Sequence, residues 1–102
     1  MDERLITLLA ITDEGGFAKA ARALNLSQPA VSYQMRQLEQ LYGLRLFMRV
    51  GNQMLLTEEG KVLTRYARAM LAARSRLQRQ LEEARAGLRP MGLVFAEGED
   101  RL

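Results

Sequence analysis

Residues 27–43, SQPAVSYQMRQLEQLYG, decide the fold, because they carry the start, the stop and the apolar spacing of one helix. Ser27 can accept a hydrogen bond from a free backbone N–H of the first turn, Pro29 is compatible with that turn, and Gly43 is a typical stop. At about 100° per residue, one stripe is apolar and predicts the buried face. It comprises Val31, Met35, Leu38 and Tyr42. The opposite side comprises Pro29, Ser32, Tyr33, Arg36 and Gln40. Hydroxyl, amide and guanidinium groups suit base edges and phosphates, so we predict a helix that enters a DNA groove.

Two shorter helices are predicted ahead of this one. Asp2 can cap the first, and Gly15-Gly16 ends it. Its apolar positions follow helical spacing and are Leu5, Leu8, Leu9 and Ile11 or Thr12. The second runs from about Phe17 to Asn25, and its predicted inward side chains are Phe17, Ala20, Ala21 and Leu24. A tight Asn-Leu-Ser turn then leads into the polar-faced helix, which is a helix-turn-helix pattern. Periodicity alone leaves a small three-helix bundle without a DNA role as the alternative.

The segment after residue 43 predicts a β-hairpin. Residues 44–50 mix apolar and basic side chains with β-formers, residues 51–53 form a turn, and residues 54–56 continue the strand pattern. A hairpin in this place is the wing of a winged helix. The alternative from the local pattern is an irregular loop that seals the core with Leu46 and Phe47.

The longest predicted helix begins after Thr57, a cap that is followed by Glu58 and Glu59 at the positive end of the helix dipole. Its apolar stripe has nearly heptad spacing and comprises Leu63, Tyr66, Met70, Ala73, Leu77, Leu81, Ala84 and Leu88. The first six are the predicted dimerisation residues. A helix of about 30 residues is about 45 Å long and must project beyond so small a domain. Packing on its own domain accounts only for the first two turns of the stripe, so we expect a second copy of the chain, in a homodimer or higher oligomer, to cover the rest.

Composition limits the function classes. With 102 residues, one small domain with an appendage is expected, and the core of a large enzyme is not. Residues 19–85 hold twelve Lys and Arg against five Asp and Glu, a balance that suits a polyanionic partner or simply a solvated face. The chain has neither Cys nor His, and no pair of carboxylates converges with a nucleophile, so we expect no enzyme, no cofactor and no metal site. No apolar run could span a bilayer, which predicts no membrane association and a cytoplasmic protein.

These elements predict a mainly α fold class, in which a winged helix-turn-helix of three helices and a short β-hairpin wing precedes a long linker helix. We predict three parts. Residues 1–57 form the DNA-binding domain, and residues 58–87 form the linker helix used for dimerisation. Residues 88–102 form a hinge and tail, which is either the first strand of a further domain or a disordered tail.

A series of short motifs follows one order and spacing across roughly residues 3 to 60. They are Gly15-Gly16-Phe17-Ala18-Lys19-Ala20-Ala21, Leu24, Leu26-Ser27-Gln28-Pro29-Ala30-Val31-Ser32, Leu38-Glu39, Gly43, Leu46-Phe47 with Arg49, and Leu56-Thr57 with Gly60. Together they resemble the N-terminal DNA-binding region of a LysR-type bacterial transcriptional regulator, and the long helix resembles the linker helix of that family. The resemblance implies a winged helix-turn-helix that dimerises through the linker helix and regulates promoters.

The resemblance also implies base and phosphate contacts on the third helix and the wing. The predicted DNA-binding residues are Ser27, Gln28, Pro29, Ser32, Tyr33, Arg36, Arg49, Asn52 and Gln53. Physical chemistry supports several of them, because the Gln28 amide can pair with an adenine edge or a phosphate, Pro29 can press on a thymine methyl, and Arg36 can reach a phosphate. For each, the alternative is an exposed face in contact with water.

Four positions depart from the family pattern. Gly16 stands where Ser is usual, which removes a strong side-chain cap from the second helix. Tyr33 stands where Arg is frequent and takes a charge away from the groove-facing side. Asn52 and Leu55 occupy wing positions that are commonly basic, which predicts a weaker grip on the minor groove or its phosphates. Family members continue into a two-lobed effector-binding domain, so a small-molecule effector is expected only with a further domain.

The sequence therefore favours a sequence-specific DNA-binding module of a dimeric bacterial transcriptional regulator. Its expected partner is double-stranded operator or promoter DNA, at the nucleoid. The alternative is a winged-helix interaction or dimerisation module without DNA activity, such as a truncated regulator that forms inactive heterodimers. The weakened wing and the lack of an effector-binding domain in these residues favour this alternative, and DNA binding by the wild-type chain at low salt separates the two.

Overall fold

The helices and the hairpin occur in the predicted order. The computed structural model describes residues 1–87. Its elements are α1 (Glu3–Glu14), α2 (Phe17–Leu24), α3 (Gln28–Tyr42), β1 (Phe47–Val50), β2 (Gln53–Leu56) and α4 (Glu58–Ala86). This order confirms the winged helix-turn-helix fold class with its long final helix. The hinge and tail predicted for residues 88–102, with Leu88 of the apolar stripe, lie outside the described residues.

Side-chain caps begin three of these helices at the predicted positions. Asp2 accepts a hydrogen bond from a backbone N–H of the first turn of α1 at 2.9 Å, and Ser27 does the same for α3 at 3.1 Å. Thr57 caps α4 at 2.9 Å. The second helix differs, since Gly16 offers no side chain, and it ends at Asn25 in the left-handed conformation with φ 58°. The local sequence therefore sets where α1, α3 and α4 start.

The core lies where α1, α2, α3, the base of the wing and the first half of α4 meet. The largest fully buried side chains are Leu5, Leu8, Val31, Leu38 and Leu46. Ala20 and Ala21 are also buried, and their small side chains let α2 approach its neighbours closely. The ring of Phe17 packs edge-on against that of Phe47 with a centroid distance of 5.0 Å, which ties α2 to the wing.

Tyr42 does not lie in the core, so the predicted buried stripe of α3 is wrong at its last position. Val31, Met35 and Leu38 are buried as predicted, whereas Tyr42 is 41% exposed. Tyr42 is in the last turn, beyond Leu38 and directly before Gly43, whose φ of 65° ends the helix. The packed part of α3 therefore ends one turn before the helix itself does.

The wing is a two-stranded antiparallel hairpin, and the irregular-loop alternative is wrong. Phe47 pairs with Leu56 at the base, and Val50 pairs with Gln53 at the tip. Gln53 therefore belongs to β2, and the turn is shorter than the predicted residues 51–53. The two-residue turn begins with Gly51 at φ 61°, a conformation that glycine adopts without steric cost.

The first half of α4 belongs to the core, and the second half does not. Gly60, Leu63, Thr64 and Ala67 are buried against the domain, while residues 72–87 are exposed throughout. The molecule consequently measures 64 Å along its longest axis and 27 and 20 Å across. None of the helices in the described part of the chain combines the length and the apolar character needed to cross a bilayer.

We expect Gly60→Ala to destabilise the protein. A Cβ at residue 60 would lie 2.5 Å from the backbone oxygen of Leu46 and 3.1 Å from Leu56 Cδ2, so α4 or the chain entering the wing must shift. Overpacking costs about 1–3 kcal/mol, and the helix preference of Ala over Gly offsets about 1 kcal/mol of it, so the free energy of unfolding should fall by about 1 kcal/mol. Urea denaturation at one fixed protein concentration measures this change.

The matched control is Gly87→Ala, since φ there is −92° and a Cβ would lie at an ordinary contact distance, 3.6 Å from the backbone oxygen of Glu83. Its free energy of unfolding should stay within about 0.5 kcal/mol of the wild type. Equal stabilities for both variants would contradict the close backbone approach at Gly60.

Candidate nucleic-acid interface

The outer face of α3 is at the surface, where the sequence predicts it. Gln28, Pro29, Tyr33 and Arg36 are exposed, and Ser32 is half-buried. Tyr33 is 56% exposed, which leaves its ring and hydroxyl accessible. Because Val31 and Leu38 on the other side of the helix are fully buried, α3 cannot rotate to hide this polar face.

Ser27 fixes the beginning of this face. Its Oγ accepts the hydrogen bond from Ala30 N, so one lone pair of the hydroxyl holds the first turn. The hydroxyl proton can still be donated outward, because Ser27 is exposed. Ser27 therefore has a structural role, since its cap also orients Gln28. This role does not depend on whether Ser27 itself contacts DNA.

The wing and α3 enclose a groove of about 850 Å³. Five of the predicted DNA-binding residues line it, and they are Gln28, Ser32, Arg49, Asn52 and Gln53. The turn between α1 and α2 forms a third wall. Ser27, Pro29, Tyr33 and Arg36 are not part of the groove lining; the exposed side chains of the last three extend the polar face along α3 beyond it.

Lys19 also lines the groove, although it is not among the DNA-binding residues predicted from the sequence. It lies in the first turn of α2, and the charged residues of the groove lining are Lys19 and Arg49, with no carboxylate among them. The adjacent start of α2, at Gly16, has no side-chain cap, so its positive dipole end adds to the same field. Helical spacing puts Lys19 on the outward side of α2, but its meeting with the wing in one groove depends on the tertiary fold.

Glu39 holds the chain between α3 and the wing. Its Oε2 accepts a hydrogen bond from Leu46 N at 2.8 Å, and Arg45 Nε lies 3.8 Å from the same oxygen. The Phe17 and Phe47 rings hold the base of the wing from the other side. The width of the groove is therefore set by contacts between α2, α3 and the wing.

The rest of the wing surface is largely apolar. Met48, Val50, Met54 and Leu55 are between 41% and 49% exposed, and Arg49 is the cation of the hairpin strands. The hairpin therefore presents one charge at the groove and few polar groups elsewhere, except at its Asn52 tip.

The predicted dimerisation residues divide into two groups. Leu63 is only 6% exposed in the core of its own domain, and Met70 packs partly against that core. Tyr66, Ala73, Leu77 and Leu81 are exposed. Val62, which is 57% exposed and was not predicted, extends this exposed stripe toward the start of α4.

This arrangement defines a class of protein. A short helix α2 packed on the core through Ala20 and Ala21, a polar-faced α3 after a tight turn, and a hairpin beside it make a winged helix-turn-helix regulatory domain. Within residues 1–87, no group of acidic side chains is placed to hold a metal ion. Residues 3–61 match the family model of the lysR family of bacterial regulatory helix-turn-helix proteins. The chain belongs to the LysR family.

Similar proteins of known role are transcriptional regulators. The chain is 44% identical over 73 residues to the RuBisCO operon transcriptional regulator of Allochromatium vinosum, which covers 72% of this chain and 24% of that protein. It is 41% identical over 88 residues to the regulator CbbR of Rhodospirillum rubrum, which covers 83% of this chain and 30% of that protein. The chain thus spans less than a third of the length of these relatives.

Solved structures share the fold. The BenM DNA-binding domain in complex with catB site 1 DNA matches with a TM-score of 0.79 and 28% identity, over 85% of this chain and 95% of that chain. Full-length LysG from Corynebacterium glutamicum with bound effector Arg matches with a TM-score of 0.78 and 37% identity, over 86% of this chain and 30% of that chain. The fold and the family are those of the DNA-binding modules of transcriptional regulators.

Two substitutions at Ser27 distinguish its effect on helix capping from its effect on DNA binding. Ser27→Ala removes the cap of α3 and should lower the free energy of unfolding by about 1 kcal/mol. Ser27→Asp keeps a good cap and should leave stability within about 0.5 kcal/mol of the wild type, but it places a negative charge beside Gln28. Urea denaturation and DNA titration, done on both variants, measure the two effects.

We expect Ser27→Asp to bind DNA more weakly than Ser27→Ala although it is the more stable protein. The opposite order of DNA affinities would place the start of α3 away from the phosphates.

Proposed function

We propose that this chain binds double-stranded operator DNA sequence-specifically, as a homodimer, and is the promoter-reading module of a bacterial transcriptional regulator that acts in the cytoplasm at the nucleoid. One observation carries the proposal. Gln28 and Ser32 of α3 share a groove with Arg49, Asn52 and Gln53 of the wing, and no carboxylate lines that groove. A surface with amide, hydroxyl and cationic groups and without acids suits base edges and phosphates.

In the proposed complex, α3 enters the major groove. The groove of B-DNA is about 12 Å wide and admits one helix. Gln28, Pro29 and Ser32 then face base edges from the first turns of α3, and Tyr33 offers a ring for a thymine methyl and a hydroxyl for a base or phosphate. Arg36, one turn further, reaches a phosphate. The carboxamide of Gln28 distinguishes adenine from other bases when both its groups are paired.

The DNA backbone beside the major groove then passes between α3 and the wing. Lys19 and Arg49 both line this groove, and in the complex they neutralise phosphates along this path. Asn52 and Gln53 at the wing tip lie next along the backbone and hydrogen-bond to a phosphate or to the minor-groove edge. The apolar flank of the wing limits the number of charges in this contact.

The proposed dimer forms through the exposed stripe of α4. Its large side chains are Val62, Tyr66, Leu77 and Leu81, all at least 42% exposed. Ala69 and Ala73 lie between the two large pairs and allow two helices to approach closely. A two-fold axis through this stripe would place the two recognition helices on two half-sites of one operator. Sensing of a small molecule would need a domain that these residues do not contain.

The apolar flank of the wing favours a second function, that of an interaction module without DNA activity. Met48, Val50 and Leu55 are exposed apolar side chains, whereas a DNA-binding wing usually exposes charged ones. This function predicts that the wild-type chain retains no DNA at low salt, whereas the proposed function predicts the recovery of one sequence with two related half-sites from a random pool.

We expect Gln28→Ala and Lys19→Gln to weaken DNA binding in different ways. Loss of the Gln28 amide should reduce affinity for the selected operator by about 1–3 kcal/mol and relax preference at one base position. Loss of the Lys19 charge should weaken binding to all sequences alike and reduce the dependence of log K on log salt by about 1. Fluorescence anisotropy with operator and scrambled duplexes, over a salt series, measures both effects.

The matched controls are Gln78→Ala and Arg79→Gln on the exposed half of α4, which should leave operator affinity and salt slope unchanged. The combination of Gln28→Ala with Arg36→Glu should abolish specific binding and leave the dimer intact. A salt slope equal in Lys19→Gln and the wild type would remove Lys19 from the phosphate contact.

We expect Leu77→Lys to convert the dimer to monomers, because it places a charge at the centre of an apolar contact. Leu77 is 54% exposed, so its substitution leaves the core of the monomer untouched, unlike Met70→Lys. Affinity for the full operator should fall by a factor of about ten or more, while affinity for a single half-site stays the same. Sedimentation velocity and DNA titration test these points.

Gln78→Lys is the control, since it adds the same charge one residue away, on another side of α4. It should remain dimeric. An unchanged dimer in Leu77→Lys would show that the interface lies elsewhere.

A further inference from the structure

Arg68 of α4 reaches across to the last turn of α1. One guanidinium nitrogen, Nη1, lies 3.4 Å from Asp13 Oδ2, and the other, Nη2, donates to Asp13 Oδ1 and lies 3.3 Å from Thr12 Oγ1. The contact is therefore forked, with both guanidinium nitrogens on one carboxylate. A forked contact fixes direction as well as distance.

This bridge differs from the other ion pairs of the described chain, because it joins α4 to another helix of the domain. The others are Arg4 with Asp2, Arg45 with Glu39, and Lys61 with Glu58. Arg68 and Asp13 are each about half exposed. At that exposure an ion pair contributes little to stability, but its forked geometry restricts the relative orientation of the two helices.

The bridge lies where α4 leaves the core. Ala67 is fully buried, and from residue 72 onward every residue of α4 is exposed. The exposed half is about 24 Å long, so a rotation of about 5° at its root displaces its end by about 2 Å. On the α1 side, Thr12 lines the groove between α3 and the wing. The bridge therefore connects the root of the projecting helix to the wall of the groove.

The fully buried contacts of α4 are confined to its first three turns, at Gly60, Leu63, Thr64 and Ala67. The bridge at Arg68 is the directional polar contact next to the point where α4 leaves the domain. We propose that Arg68 and Asp13 set the angle between α4 and α1 and thereby the separation of the two recognition helices in the dimer. Arg68 is then a positioning residue for the choice of half-site spacing. This inference rests on the proposed dimer and its operator.

The bridge is present over the whole neutral range. Hydrogen bonding from the Arg68 guanidinium holds the pKa of the Asp13 carboxyl below its usual value, and Asp13 in turn raises the pKa of Arg68. Because both groups stay charged, the angle is a fixed property of the fold at neutral pH.

The angle can be measured without DNA. The chain contains no Cys, so Ala23→Cys on α2 and Gln80→Cys on the exposed half of α4 give two unique sites for spin labels. Doubly labelled chains diluted with unlabelled chains report the distance within one protomer. We expect a narrow distance distribution for the otherwise wild-type chain, a broader one for Arg68→Met and for Asp13→Asn, and a narrow one again for the exchanged pair Asp13→Arg with Arg68→Asp. Equal widths in all of them would overturn the proposal.

The spacing can be measured with duplexes in which the two half-sites of the selected operator are moved apart one base pair at a time. Arg68→Met and Asp13→Asn should stay dimeric and bind a single half-site as the wild type does, within about twofold. Affinity at the preferred spacing should fall by about threefold to fivefold, the scale of one surface ion pair, so that the preference over neighbouring spacings flattens.

The control is Glu58→Gln with Lys61→Met, which removes an ion pair within α4 and should keep the wild-type spacing profile. A wild-type profile in Arg68→Met, or an equal loss of affinity for the single half-site and the full operator, would overturn the positioning role. A wild-type chain that is monomeric or binds no DNA would instead refute the proposed function, and the spin-label distances would still decide whether the bridge sets the angle.

Discussion

The burial of one stripe of α3 is the constraint on which the rest of the structure depends. Val31 and Leu38 are fully buried, and Met35 between them is nearly so. Since a helix has 3.6 residues per turn, burying this stripe forces the residues on the other side outward. The same packing that stabilises the domain therefore presents Tyr33 and Arg36, and the identity of the exposed residues can vary without cost to the core.

Local signals in the sequence were sufficient for the elements and insufficient for the groove. Ser27 and Thr57 cap the helices they were predicted to cap, because capping involves a hydrogen bond to the next turn. The predicted burial of Tyr42 was wrong because periodicity describes the direction of a side chain and not whether a neighbour covers it. Lys19 was missed because the groove brings together residues 11–19, 28–32 and 47–56, and no spacing along the chain encodes that meeting.

α4 carries two neighbouring stripes, one buried against its own domain and one exposed. Leu63 and Ala67 face the domain, while Val62 and Tyr66, each one residue earlier, are exposed. The sequence pattern merged the two stripes into one, which is why Leu63 was assigned to the dimer. Because the buried stripe is complete within one chain, the domain does not depend on a partner for its core, and association would add to a structure that is already packed.

The close contact at Gly60 fixes the start of α4 to the domain. At Gly60 the backbone of α4 touches the backbone of the chain that enters the wing, so closely that a Cβ has no room. Two turns later, Arg68 joins the same helix to α1. Leu63 and Ala67 are buried between these two contacts, so about 12 Å of α4 is held against the domain. The projecting half of α4 is therefore a rigid helical extension of the domain, and it is not a flexible linker.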